Sequence, residues 1–208
     1  MTTAESEQAA HSSKAKRRKP QSKHVGATLT GTDAALQRFA KQVTIRDGAP
    51  IQQRVALTNG CEDPQQRIQH YFLQFTLIVD FIHANEYLWK AANNLFGENS
   101  PARDPWVEQQ TLHTLSGQTQ QVIAHLRNLA KKAKRTKTQR IALETAANYF
   151  QRNRSYMHYE HYLAQGWPIG SGVIEGTCRH FVEDHFELSG TRWTKQGAEN
   201  LLLLRAVA

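Results

Sequence analysis

Arg54-Val55-Ala56-Leu57-Thr58-Asn59-Gly60 and, after a polar stretch, Phe75-Thr76-Leu77-Ile78-Val79-Asp80 are the segments whose reading decides the fold. Each is a short apolar run stopped by a polar residue, the signature of a buried strand running into a turn. Residues 62 to 72 between them suit a short helix, and Ala84 to Phe96 after them is strongly helical. Strand, helix, strand, helix predicts a parallel pair, because a crossover helix of this length favours parallel neighbours. Asn59 and Asp80 then fall at the same end of the sheet. That end, where parallel strands finish, is where sites form in α/β proteins.

Working outward, Ala35, Leu36, Phe39, Ala40 and Val43 make a helical stripe over Thr32 to Val43, with Thr32 or Asp33 as the expected N-cap. Downstream the period is helical from Pro105 to about Leu163. Val122, Leu126 and Leu129 form one stripe there, and Ile141, Leu143, Ala147 and Phe150 belong to another. Gly97 and Pro101 mark the entry to this block and Gly166-Trp167-Pro168 its exit. The Gly170-Ser171-Gly172 turn opens a last pair of helices, Val173 to about Glu187 and Lys195 to Ala206. The fold class is therefore α/β plus all-α. Residues 1–24 read as a disordered basic arm, 25–97 as an α/β segment with parallel strands, 98–166 as a helical insertion or subdomain and 167–208 as C-terminal helices.

Composition narrows the function classes. Of 208 residues, 26 are Lys or Arg and 18 are Asp or Glu, a formal charge of +8, and 39% are hydrophobic, enough for a core over most of the chain. No apolar run approaches the roughly 18 residues that span a bilayer, and the start carries no apolar signal segment. The expected location is cytoplasmic, with no membrane partner. Cys61 and Cys178 cannot form a disulfide framework and belong to no C-x-x-C pair, which argues against a thiolate zinc site. The positive surplus is clustered. Lys14, Lys16, Arg17, Arg18, Lys19 and Lys23 make one block. From Gln109 to Leu143 there is no acid, while Arg127, Lys131, Lys132, Lys134, Arg135, Lys137 and Arg140 accumulate. Two blocks of one sign suit a phosphate backbone, giving salt-dependent and sequence-blind affinity for nucleic acid. The plainer reading is a solvated helix end that keeps the protein soluble.

Isolated motifs weigh less. Gly170-x-Gly172-x-x-x-Gly176 misses the dinucleotide fingerprint and follows no strand, so its glycines read as a sharp entry to a helix. His158 and His161 share a helical face, but Tyr156, Tyr159 and Tyr162 beside them point to packing. Cys178 and His180 diverge by about 200° around a helix, which discounts them and His185 as a ligand set. Glu175 stands one turn inside a helix between apolar neighbours and a glycine hinge. Its bland role is to complement the helix dipole, worth about 0.3 to 1 kcal/mol.

Several separated motifs, in order, carry a resemblance. They are Arg54 to Gly60, the segment Thr76 to His83, Glu86-Tyr87-Leu88-Trp89-Lys90-Ala91-Ala92, Trp167 to Gly176, and Ser189-Gly190-Thr191-Arg192-Trp193. Together they resemble the ISKra-type insertion-sequence transposases from about Lys14 to the last residue. The resemblance implies an RNase H-like fold, here incomplete, with an Asp, Asp, Glu catalytic set and a helical insertion before the Glu. It makes Glu175 the final catalytic carboxylate and a metal ligand, and Asp80 with His83 a motif supporting the site. It also implies Mg²⁺ or Mn²⁺ as cofactor and DNA at transposon ends as partner. Asn59 takes the place of the second Asp, since the family's Leu-Thr-Asp-Gly is Leu-Thr-Asn-Gly here. Glu183 and His185 stand where the family tends to have Lys and Arg. The first Asp belongs on a strand upstream of the basic arm, and the sequence is expected to lack it.

In-line attack at phosphorus uses two divalent ions about 3.5 to 4 Å apart. An amide at position 59 offers those ions one neutral oxygen in place of an anionic group. A sheet without its first strand is expected to expose unpaired backbone, leaving the α/β half poorly stable alone. The leading expectation is a truncated DDE-type transposase, catalytically defective by itself. The alternative is a non-catalytic DNA-binding or regulatory fragment acting on transposon ends, on full-length transposase or in a homo-oligomer. A metal-dependent hydrolase using Asp80, His83 and Glu175 is the third reading.

Overall fold

The computed structural model describes residues 24–48, 51–172, 192 and 194–205. These form a mostly helical structure built on a two-stranded parallel sheet, β1 (Val55–Thr58) beside β2 (Thr76–Val79). The helices are α1 (Thr32–Arg46), α2 (Glu62–Tyr71), α3 (Phe81–Phe96), α4 (Arg103–Leu115), α5 (Thr119–Ala130), α6 (Lys137–Asn153), α7 (Tyr159–Ala164) and α8 (Lys195–Arg205), with one 3₁₀ turn at Arg154–Tyr156. The strands pair as the sequence predicts, with Val55 opposite Thr76 and Thr58 opposite Val79, and α2 crosses between them. The basic arm through Lys23 and the segment carrying Glu175 lie outside the described residues.

β2 is the centre of the core. Ile78 and Val79 are fully buried and join Ala84, Leu88, Ala91 and Leu95 of α3, Val107 of α4, Val122, Ile123 and Leu126 of α5, and Leu143, Ala147 and Phe150 of α6 in one apolar cluster. Residues on both sides of position 98 therefore share a core. The buried side chains of α3 recur at intervals of three and four, one face of a helix.

Three details differ from the sequence reading. Helix α3 starts at Phe81, not Ala84, because the Asp80 carboxylate caps it, accepting from the Ile82 N–H at 2.8 Å. Helix α1 is preceded by Gly31, with no side-chain cap, so neither Thr32 nor Asp33 plays that part. Asp33 instead pairs with Arg67 of α2, which also holds Asp63 at 2.9 Å, and this tie joins α1 to α2. Ile141 is 54% exposed, because the buried face of α6 runs through Leu143, Ala146, Ala147 and Phe150 and a residue two positions earlier points about 200° away. Helix α8 is fastened to the start of the described chain. The Glu199 carboxylate accepts from the Thr28 hydroxyl and the Leu29 N–H, both at 2.7 Å, and from Arg38 at 2.9 Å.

Candidate functional site

The polar ends of β1 and β2 lie side by side, and the helical block holds both. At β1, the Asn59 carbonyl accepts from the Tyr149 hydroxyl of α6 at 2.9 Å. The Gly60 carbonyl accepts from Arg152 at 2.8 Å and Asn153 at 3.2 Å, and Asn153 also accepts from buried Gln65 of α2 at 2.8 Å. At β2, the Val79 carbonyl accepts from the Tyr159 hydroxyl of α7 at 2.9 Å. One tyrosine thus secures each strand end. Burial, and after it neighbouring tyrosines, pushes both phenols well above their ordinary range, so each remains an O–H donor. Tyr149 is further fixed by stacking on Tyr87 at 3.9 Å.

Asp80 is 1% exposed and makes no ion pair among the described residues. Its two oxygens divide their work. Oδ1 caps α3, and Oδ2 accepts from the Ser171 N–H at 2.8 Å. Beside it the Phe81 N–H donates to the Ile169 carbonyl at 2.8 Å, and Ile82 lies under Gly170 and Gly172, where a side chain would meet it at about 3.5 Å. The carboxylate therefore fixes the Ile169–Gly172 turn onto the end of β2 through charge-assisted bonds. Gly172 is the last described residue before the segment that carries Glu175.

The other expected site residues sit differently. The Asn59 side chain is exposed and its Oδ1 accepts from the Cys61 N–H at 3.0 Å, an Asx turn that shapes the loop. His83 is half-buried with Nδ1 3.7 Å from Glu86, a different partner from those of Asp80. His158 and His161 pack against Tyr162, and His161 also against Trp167, as their aromatic surroundings suggested. Two divalent cations need anionic oxygens at both strand ends. The described residues do not fit them. Position 59 offers a neutral amide oxygen already used by its own turn, and Asp80 is enclosed by two backbone amides. Among the described residues no three His, Cys, Asp or Glu side chains cluster as a metal site.

A second feature lies at the far end of α6. Lys131, Lys132 and Lys134 are exposed in the link from α5, Arg135 is half-buried there, and Lys137 and Arg140 are exposed on the first turns of α6. Thr136 and Gln139 form a reciprocal capping box that stops the link sharply. None of the six cations makes an ion pair among the described residues. At 1.5 Å per residue, α6 sets this tip about 22 Å from Arg152 and the β1 end.

Sequence reasoning missed the clamp of Tyr149, Tyr159, Arg152 and Asn153. Its one local signal is a tyrosine next to a helix's apolar face, whose hydroxyl needs an acceptor once buried. Tyr159→Phe should cost about 1 to 3 kcal/mol by leaving the buried Val79 carbonyl unpaired. Urea unfolding would read this, and an unchanged midpoint would remove Tyr159 from the framework of the site.

No family model matches the chain, and neither a curated protein nor a solved structure matches it. Among the described residues no helix is long and apolar enough to cross a membrane.

Proposed function

We propose that this chain is a DNA-binding derivative of an RNase H-like, DDE-type insertion-sequence transposase of the ISKra type, catalytically defective on its own. The observation that carries DNA binding is the tip between α5 and α6, where six cations that make no ion pair among the described residues gather in a stretch free of acids. Lysines there with no ion pair among the described residues have none of those to lose when they meet phosphate, and counterion release supplies the affinity. The transposase ancestry is supported by the motif series in the sequence. It is supported also by parallel strands that end together at Asn59 and Asp80, with helices intervening before the Glu175 segment. The loss of catalysis follows from charge, since an amide at position 59 replaces the anionic oxygen a pair of Mg²⁺ or Mn²⁺ ions would share. Its role would then be regulatory, occupying transposon ends or joining intact transposase in inactive assemblies.

A cleavage and strand-transfer assay on transposon-end DNA with Mg²⁺ or Mn²⁺ tests the catalytic half of this reading. The expected result is bound DNA with no cleaved or joined product. Robust cleavage abolished by Glu175→Ala would contradict it.

A further inference from the structure

Helix α6 turns one face to the core and leaves another uncovered. Leu143, Ala146, Ala147 and Phe150 are buried, whereas Thr138, Ile141, Thr145 and Asn148 are all exposed. At 3.6 residues per turn those four fall within an arc of about 80°, one stripe rising about 15 Å along the helix. Thr44 and Thr114 donate to the carbonyl four residues back, at 3.0 and 2.8 Å, the usual resort of a threonine inside a helix. Among the described residues Thr145 makes no such bond, and the Thr138 and Asn148 side chains make none either. Ile141, 54% exposed, stands in the middle of the stripe. A lone exposed isoleucine is ordinary. This one lies between groups with unused hydrogen-bonding capacity, on the helix whose amino end carries Lys137 and Arg140 and follows directly on the basic link.

We propose that α6 enters the major groove of duplex DNA with this stripe against the base edges, so that the chain prefers A·T pairs. The groove, about 12 Å wide, admits a helix, and the stripe covers about four base-pair steps. Ile141 and the methyl groups of Thr138 and Thr145 suit the thymine methyl, and the Asn148 amide suits the paired donor and acceptor of adenine. The cations of the tip meet the phosphates beside the groove and supply affinity, while the stripe supplies choice. The acid-free run of cations at the amino end of the same helix favours a polyanion over a protein surface as the occupant. Glu144, exposed one turn beyond Arg140 at the margin of the stripe, is repelled by phosphate but can accept from the amino group of a base. The inference rests on the proposed DNA binding and adds base reading to an affinity that charge alone leaves blind to sequence.

Fluorescence anisotropy of the whole chain near 0.1 M salt tests it with three duplexes of equal length: alternating A·T, the same duplex with uracil for every thymine, and alternating G·C. Uracil lacks only the 5-methyl group, which lies in the major groove, so phosphates and minor-groove edges stay as they were. The thymine duplex should bind about four- to tenfold tighter than the uracil duplex, and tighter than G·C. Thr138→Ser, Ile141→Ser and Thr145→Ser together remove the methyl contacts from exposed positions and keep the hydroxyls. That variant should bind the thymine and uracil duplexes within about twofold of each other, with the salt slope unchanged. Lys131, Lys132, Lys134 and Lys137 changed together to glutamine should instead weaken all three duplexes alike. Equal affinity of the unaltered chain for the thymine and uracil duplexes, or a difference that survives the triple variant, would overturn this inference and leave DNA binding standing. No binding to any duplex at the lowest salt would overturn both.

Discussion

Replacing Gly60 by alanine should cost about 2 to 4 kcal/mol of folding free energy, more than any other single alanine in the strand-end turns. Two effects add. Gly60 has φ of 80°, the left-handed region, where an L side chain costs roughly 1 to 2 kcal/mol. Its new Cβ would also stand 2.5 Å from the Tyr149 hydroxyl oxygen and 2.8 Å from the ring carbon bearing it. The ring cannot swing aside freely, since it stacks on Tyr87 and donates to the Asn59 carbonyl. Urea unfolding of Gly60→Ala, Tyr149→Ala and the double variant separates the contributions. With the ring gone, the added methyl should cost only the backbone share, so the two changes should be clearly less than additive. A cost for Gly60→Ala below about 0.5 kcal/mol would mean the β1 end is not held as described.

The other large effect concerns affinity. Exchanging Lys131, Lys132, Lys134 and Lys137 together for glutamine should weaken duplex DNA binding by about 10² to 10³-fold near 0.1 M salt and flatten the log–log salt slope by about 3 to 4. Folding should be nearly unaffected, because these side chains are exposed and make no ion pair among the described residues. Lys41→Gln, a single exposed charge on α1, is the control and should change affinity little. Equal weakening by the control would assign binding to overall charge and not to the tip.

What the sequence made legible was local pattern. The strand, helix, strand order around Thr58 and Val79 gave the parallel pair, and with it the placing of Asn59 and Asp80 at one end. Caps were less legible. Asp80 reads equally as a strand terminator, a site carboxylate or a helix cap, and only the path of α3 reveals that it caps Ile82 and holds Ser171. The clamp was not legible, since Tyr149 lies ninety residues from Asn59 and Tyr159 eighty from Val79, separations across which a hydroxyl leaves no periodic mark. Ile141 shows the reverse error, an apolar residue assigned to a stripe from which a helix's 3.6-residue turn excludes it. The roles proposed for Glu175 and for Lys14, Lys16, Arg17, Arg18 and Lys19 concern residues outside those described.

DNA binding is the claim on which the functional account turns, and equilibrium binding of the whole chain to duplex DNA by fluorescence anisotropy, across salt from about 50 to 300 mM, tests it most directly. The account predicts tight binding at low salt that falls with a log–log slope of about −4 or steeper. No binding at the lowest salt, or an affinity indifferent to salt, would contradict it.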